Sequence, residues 1–263
     1  MSPEIDPVPL KHRELERIAL VALKAARILL ESGARVKVVH EGAALVVKGL
    51  GAEIIGMRAG YASHEITVSN GANTITRMTS VGAHGVNHRL DHALRELCLT
   101  ISRGGMSVAA VDAAIDDLVQ KTPRYAAATV AVAVGVACAA FGRLLGVDWA
   151  AFLPVFVAGT AGQYIRHLLR SRGINAYVIA TVIAFLAAAT SGLGAILAGS
   201  GTVPLAMIAA ILLLVPGVPA TNAQTDIMDG YPSMGSARAV AVLMVMIFAT
   251  VGVWIAEVML GVR

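Results

Sequence analysis

Five polar side chains set in apolar surroundings have chemistry to offer: Gln163, Arg166, Thr221, Asn222 and Asp226. Gln163 and Arg166 stand three apart in AGQYIRHLLR, a spacing that places them on one helix face. Arg166 keeps its charge at any biological pH and can attract a carboxylate. Its other reading is an anchor that snorkels to lipid headgroups, like its neighbours Arg170 and Arg172. Gln163 suits a solute contact or a hydrogen bond between helices. Asn222 and Asp226 are four apart and meet on one face if residues 221–229 are helical, with Thr221 beside them. Asn and Thr can donate to a carboxylate or accept from an ammonium, and Asp226 can pair an ammonium or carry a proton. Outside a membrane, Asp226 reads instead as a helix-end carboxylate in a wet loop.

The second group follows an abrupt break. In LLLVPGVPATNAQTDIMDG, residues 212–230, an apolar run ends in Pro216, Gly217 and Pro219. Each proline lacks an N–H and crowds the preceding turn, and glycine weakens the helix further. A helix broken at membrane depth frees backbone groups that only protein or a water-filled cavity can satisfy, and transporters build solute sites this way. The plainer reading is a helix end and the start of a loop.

Other candidates carry less. His84, His88 and His92 recur every four residues, but Gly82 and Gly85 make the first turn a poor helix, and no further ligand completes a metal set. Cys98 and Cys138 stand far apart without metal or redox spacing and read as packed apolar residues. Glu257 reads as interfacial. The sequence has no nucleophile motif, HExxH or phosphate loop, so it predicts no enzyme, no metal and no cofactor, and no ATP-driven step within this chain.

The elements that must position these residues fall into two parts. The sequence is 57% hydrophobic and 14% charged, against about 25% charged in ordinary soluble domains, with a mean hydropathy of +0.73. Residues 1–123 hold 14 of the 21 Lys and Arg and 13 of the 17 Asp and Glu. That part is nearly neutral and gives no reason to expect nucleic acid. The first residues lack an apolar core, so they do not read as a signal peptide. Residues 1–10 read as a flexible, proline-containing tail, and residues 11–123 as an α+β domain. Helical periodicity covers 11–32 and 37–50, then strands run over 52–58, 61–68 and 73–81 around a Ser69-Asn70-Gly71-Ala72 turn. Helical spacing returns over 86–102 and, behind a Ser107 cap, to about Gln120.

Residues 124–263 read as a membrane domain with five transmembrane helices, at about 125–145, 150–168, 174–198, 203–219 and 237–260. With the N-terminus inside, Lys121, Arg124, Arg166, Arg170, Arg172 and Arg238 fall on the cytoplasmic side and only Arg143 and Arg263 outside. The predicted fold is therefore a multi-pass α-helical membrane protein with a cytoplasmic N-terminal α+β domain and an external C-terminus. Gly135, Gly159, Gly162, Gly192 and Gly194 suit close packing of the spans.

ARILLESGARV at 26–36, the three-strand segment, RSRGINAYV at 170–178 and LVPGVPATNAQTDIMDG at 214–230 occur in the order seen in the threonine/serine exporter family. The chain resembles that family's first half from about residue 20 to 258, and Gln163 and Arg166 resemble its Gln-x-x-Arg pattern. The resemblance implies a bacterial inner-membrane exporter of small carboxylate metabolites; threonine and serine, the solutes of some members, are the expected cargo, and the dicarboxylate succinate, exported by a split pair, is the alternative. The second membrane half of longer members is absent, which implies a separate small YjjB-like membrane subunit, unless a homo-oligomer serves instead. The bilayer is a further partner. A membrane-anchored binding or regulatory protein, working through the N-terminal domain, is the alternative of another class.

Overall fold

The computed structural model describes residues 12–71, 73–122 and 124–262. The expected tail at 1–10, the domain limit at Pro123 and the external Arg263 lie outside the described residues. The chain divides into two units, one of residues up to Arg124 together with Val218–Ala239, the other of Tyr125–Gly217 and Val240–Arg263.

In the first unit, α1 (His12–Glu31) and α2 (Val36–Gly49) precede an antiparallel sheet of β1 (Glu53–Ala59), β2 (Ser63–Asn70) and β3 (Asn73–Ser80), in the order β1-β2-β3. α3 (His88–Ser102) and α4 (Val108–Lys121) complete its N-terminal part. The apolar stripe Leu15, Ile18, Ala22, Ala25 and Leu29 is fully buried against the α2, β2, β3, α3 and α4 side chains. Alternate residues of β2, His64, Ile66 and Val68, face the same core. Side chains cap the helices as the sequence suggests: Asn87 accepts from Leu90 N and Ser107 from Ala110 N. The hairpin differs by one position. Asn70 pairs with Asn73, so β2 runs on through Asn70, and Gly71 directly after it supplies the left-handed φ of +61° that a tight hairpin turn requires.

Residues 218–239, which hydropathy grouped with the spans, cluster with this unit. They comprise most of α9 (Gly217–Met228) and the first turns of α10 (Pro232–Leu260). Gly235 lets the two helices meet: a Cβ there would lie 2.5 Å from Ile227 Cγ1 and 2.7 Å from the Ala223 carbonyl.

The second unit contains α5 (Ala127–Leu144), α6 (Phe152–Ser171), α7 (Ala176–Leu197), α8 (Val203–Ala210), a 3-10 turn (Ile211–Leu214) and the rest of α10. Its contacts run through small residues. Gly159 packs on Cys138, Gly162 faces Ile183 and Ala187, and Gly252 sits against the backbone of Thr181 and Phe185 on α7. Among the described residues, three helices (α5, α7 and α10) are long and apolar enough to cross a membrane. A fourth span arises if the bent pair Val203–Leu214 and Gly217–Met228 is counted as one. The five-span reading also counts α6, whose C-terminal half carries Gln163, Arg166, His167 and Arg170 and is too polar to meet the same standard.

Candidate functional site

The break after α8 is local and has a clear cause. Val215 turns to extended backbone, with φ −64° and ψ 116°, because a residue before proline is driven out of the helical region. Pro216 brings no N–H, and the Gly217 N–H turns back to the Val215 carbonyl at 2.9 Å. The break is thus Val215–Pro216. Gly217 opens α9, and Pro219 sits in its first turn, where a missing N–H costs no intrahelical bond.

These changes leave the Leu213 carbonyl without its usual helical donor four residues on. Arg166 supplies one: its Nη1 donates to Leu213 O at 2.6 Å. The Cys138 thiol approaches the neighbouring Ala210 carbonyl at 3.8 Å. Arg166 is half-buried on α6, one turn beyond the half-buried Gln163. Among the described residues, no carboxylate pairs with it. The second unit has only two carboxylate side chains, Asp148 and Glu257. Asp148 is engaged in the loop after α5: it accepts from Ala151 N, Ser200 Oγ and Gly201 N. The Ala151 N–H, followed by those other donors, holds its carboxyl below the usual range. Arg166 therefore combines one backbone contact with guanidinium N–H groups that face no acidic side chain, an arrangement suited to a carboxylate.

Asn222 and Asp226 share a face of α9, as their spacing requires, and that face meets the loop between α1 and α2. Asn222 Nδ2 donates to Gly33 O at 2.7 Å. Asp226 is 0% exposed and both of its oxygens are used: Oδ1 accepts from Val36 N at 2.8 Å and Oδ2 from Arg238 Nη1 at 2.5 Å. Val36 is the first residue of α2, so Asp226 caps that helix from a distant part of the chain. Arg238 is 4% exposed and donates through Nη2 to Ala34 O at 2.8 Å. Arg35 and Asp229 add an outer pair at 3.5 Å. The loop can follow this path because Gly33 adopts φ +98° with the Gly85 carbonyl 2.9 Å from where a Cβ would stand. Thr221 is exposed on α9 and passes its carbonyl to the Thr225 hydroxyl.

The five candidate residues therefore fall in two places. Gln163 and Arg166 belong to the second unit, and Thr221, Asn222 and Asp226 to the first. The sequence reading missed Arg238 as Asp226's partner, counting it only as a topological charge. The legible signal was one acid and one base bracketing the Gly230-Tyr231-Pro232 turn between two helices. His84 lies in the loop before α3 and bonds the Tyr61 carbonyl, apart from the helix that carries His88 and His92. Among the described residues, no group of three His, Cys, Asp or Glu side chains is placed to hold a metal ion.

Comparison with known proteins agrees with a transport role. The family described as "Putative threonine/serine exporter" matches residues 20–260. A protein of Klebsiella aerogenes named "Probable succinate transporter subunit YjjP" is 27% identical over 251 residues, covering 95% of this chain and 96% of that protein. Its namesake from Escherichia coli strain K12 is 26% identical over 247 residues, covering 94% and 96%. No solved structure matches the chain. With the match running through both units, the broken helix and the Gln163–Arg166 turn, the chain belongs to the threonine/serine exporter family, whose members are transport proteins and not enzymes.

Proposed function

We propose that this chain is one subunit of a bacterial inner-membrane exporter of small carboxylate metabolites. The observation that carries the reading is Arg166, a cation at a helix break that faces no acidic side chain among the described residues. Its Nη1 holds the Leu213 carbonyl, and its other N–H groups receive the solute carboxylate, with Gln163 one turn away as a second donor. Asn222 and Asp226 hold α9 in place.

A dicarboxylate is the preferred cargo. The second unit offers few carboxylates for an ammonium group, since Asp148 is engaged in its loop and Asp226, in the first unit, is engaged by Arg238. The two relatives named as succinate transporter subunits support the same choice. Threonine and serine, the solutes in the family's description, are the second reading. In that case the ammonium would rest on backbone carbonyls at the break.

The five-span arrangement, with α6 as a span and a cytoplasmic N-terminal unit, follows the arginine bias. The name "subunit" carried by the relatives supports a partner, which we assign as a small YjjB-like membrane protein. The deciding experiment measures efflux of labelled succinate, threonine and serine from cells expressing this chain with and without such a partner. Succinate efflux should require both chains and fall at least tenfold in Arg166→Gln. Arg166→Lys should not restore it, because one ammonium cannot reproduce a planar fork that serves two acceptors. Normal efflux by Arg166→Gln at equal protein level would refute the site.

A further inference from the structure

The first unit contains a second polar centre that the transport reading does not use. His64 is 0% exposed on the core face of β2, and neither of its ring nitrogens meets a hydrogen-bond partner of good geometry among the described residues. His40 Nε2 on α2 is likewise buried and unpartnered. The His40 ring meets Tyr231 edge-on at 5.0 Å. His84 stacks on Tyr61 at 4.2 Å, with Nε2 at 2.8 Å from the Tyr61 carbonyl. Four segments thus carry these polar rings: α2, the stretch from Tyr61 to His64, the loop before α3 and the turn before α10. The charges of His40, His84 and the buried Arg238 all reach His64. Buried polar nitrogens without partners are uncommon in folded proteins, and each calls for an explanation.

We propose that this centre, His40, His64 and His84 beside Arg238, is a binding site for a small carboxylate anion. His84 spends its N–H on the Tyr61 carbonyl, so the donors are His64 and His40, each neutral with one N–H to offer, and a carboxylate is purely an acceptor. Arg238, balanced by Asp226 alone, disfavours a cation in the same place. The charged groups around the rings are few. Glu31 of α1 already accepts from Gly82 N, Asp226 of α9 is held by Arg238, and Arg58 of β1 presents its backbone carbonyl toward His64. Burial first, then His40, His84 and Arg238, push His64 down to about 4, against the pull of that carbonyl. Burial also lowers His40 and His84. All three rings are therefore neutral near pH 7, and an anion among them would favour their protonated forms. Binding then takes up a proton and tightens as pH falls. Because Arg238 belongs also to the clamp on α9, occupancy would bear on the helix that follows the break.

The test uses the full-length protein in detergent micelles with 15N-labelled histidine, titrated with acetate and with succinate at pH 8, 7 and 6. Saturable shifts of the His64 and His40 ring nitrogens are expected. Affinity should rise up to about tenfold per pH unit if one proton is taken up per anion. The shifts should vanish in His64→Leu and in His40→Leu and persist in Arg166→Gln, which separates this site from the transport site. Either leucine variant suffices if the other does not fold. Absence of a saturable response to both anions, undiminished binding in a folded leucine variant, or a response to phosphate but to neither carboxylate would overturn the proposal.

Discussion

Replacing Asp226 by asparagine keeps the size of the side chain and removes its charge. The amide oxygen can still accept from Val36 N, so the cap of α2 survives. What remains is a guanidinium 4% exposed, facing an amide where it had a carboxylate at 2.5 Å. Breaking a buried pair in this way costs about 3–5 kcal/mol, mostly for the stranded charge. At about 2–4 °C per kcal/mol for a chain of this size, the unfolding midpoint of the purified protein should drop by about 6–20 °C. Arg238→Gln should lose a similar amount, since Asp226 is then buried with only Val36 N to serve it. The double variant Asp226→Asn with Arg238→Gln leaves no stranded charge and should be less destabilised than the sum of the two single changes. Thermal unfolding of all four proteins gives the coupling directly. A single-variant loss below about 1 kcal/mol, or losses that simply add, would refute the clamp and return Asp226 to the list of solute ligands. A clamp also requires that lowered efflux in Asp226→Asn be matched by lowered protein level.

Three further outcomes follow from buried groups. His64 has a folded-state pKa of about 4 against 6.5 when free, so the unfolded chain binds more protons between those values. Stability is full above pH 6.5 and falls by up to about 3 kcal/mol as pH drops to 4; denaturant melts at stepped pH should show this slope, and His64→Leu should flatten it. Burial pushes the Cys98 thiol up to about 12, so thiol reagents at neutral pH should leave Cys98 unmodified until the protein is denatured, as mass spectrometry would show. Gly235→Ala forces a Cβ to 2.5 Å from Ile227 Cγ1 and should cost about 1–3 kcal/mol in the same melts, whereas Gly201→Ala, in open space, should cost far less.

Several features were legible in the sequence because their causes are local. The stripe Leu15, Ile18, Ala22, Ala25 and Leu29 predicts the buried face of α1, and Ser107 predicts the start of α4, since periodicity and capping involve only near neighbours. The two prolines predict a break, because a missing N–H acts within one turn. The same logic left the break spread over Pro216, Gly217 and Pro219. Which residue leaves the helix depends on where the Gly217 N–H turns, and it turns to Val215. Spacing likewise showed that Asn222 and Asp226 share a face, but spacing cannot say what that face meets. It meets Gly33 and Val36, about 190 residues earlier, through backbone groups that any residues there would present. Arg166 is the same case: its partner is the carbonyl of Leu213, and a carbonyl leaves no mark in the one-letter code. His64 stands at an ordinary inward position of β2 beside Ile66 and Val68, so its burial follows from strand alternation, while its company with His40, His84 and Arg238 follows only from the packing of four distant segments. Local periodicity decided the elements of this protein; long-range contacts to backbone atoms decided which of its polar residues hold the fold and which remain open to a ligand.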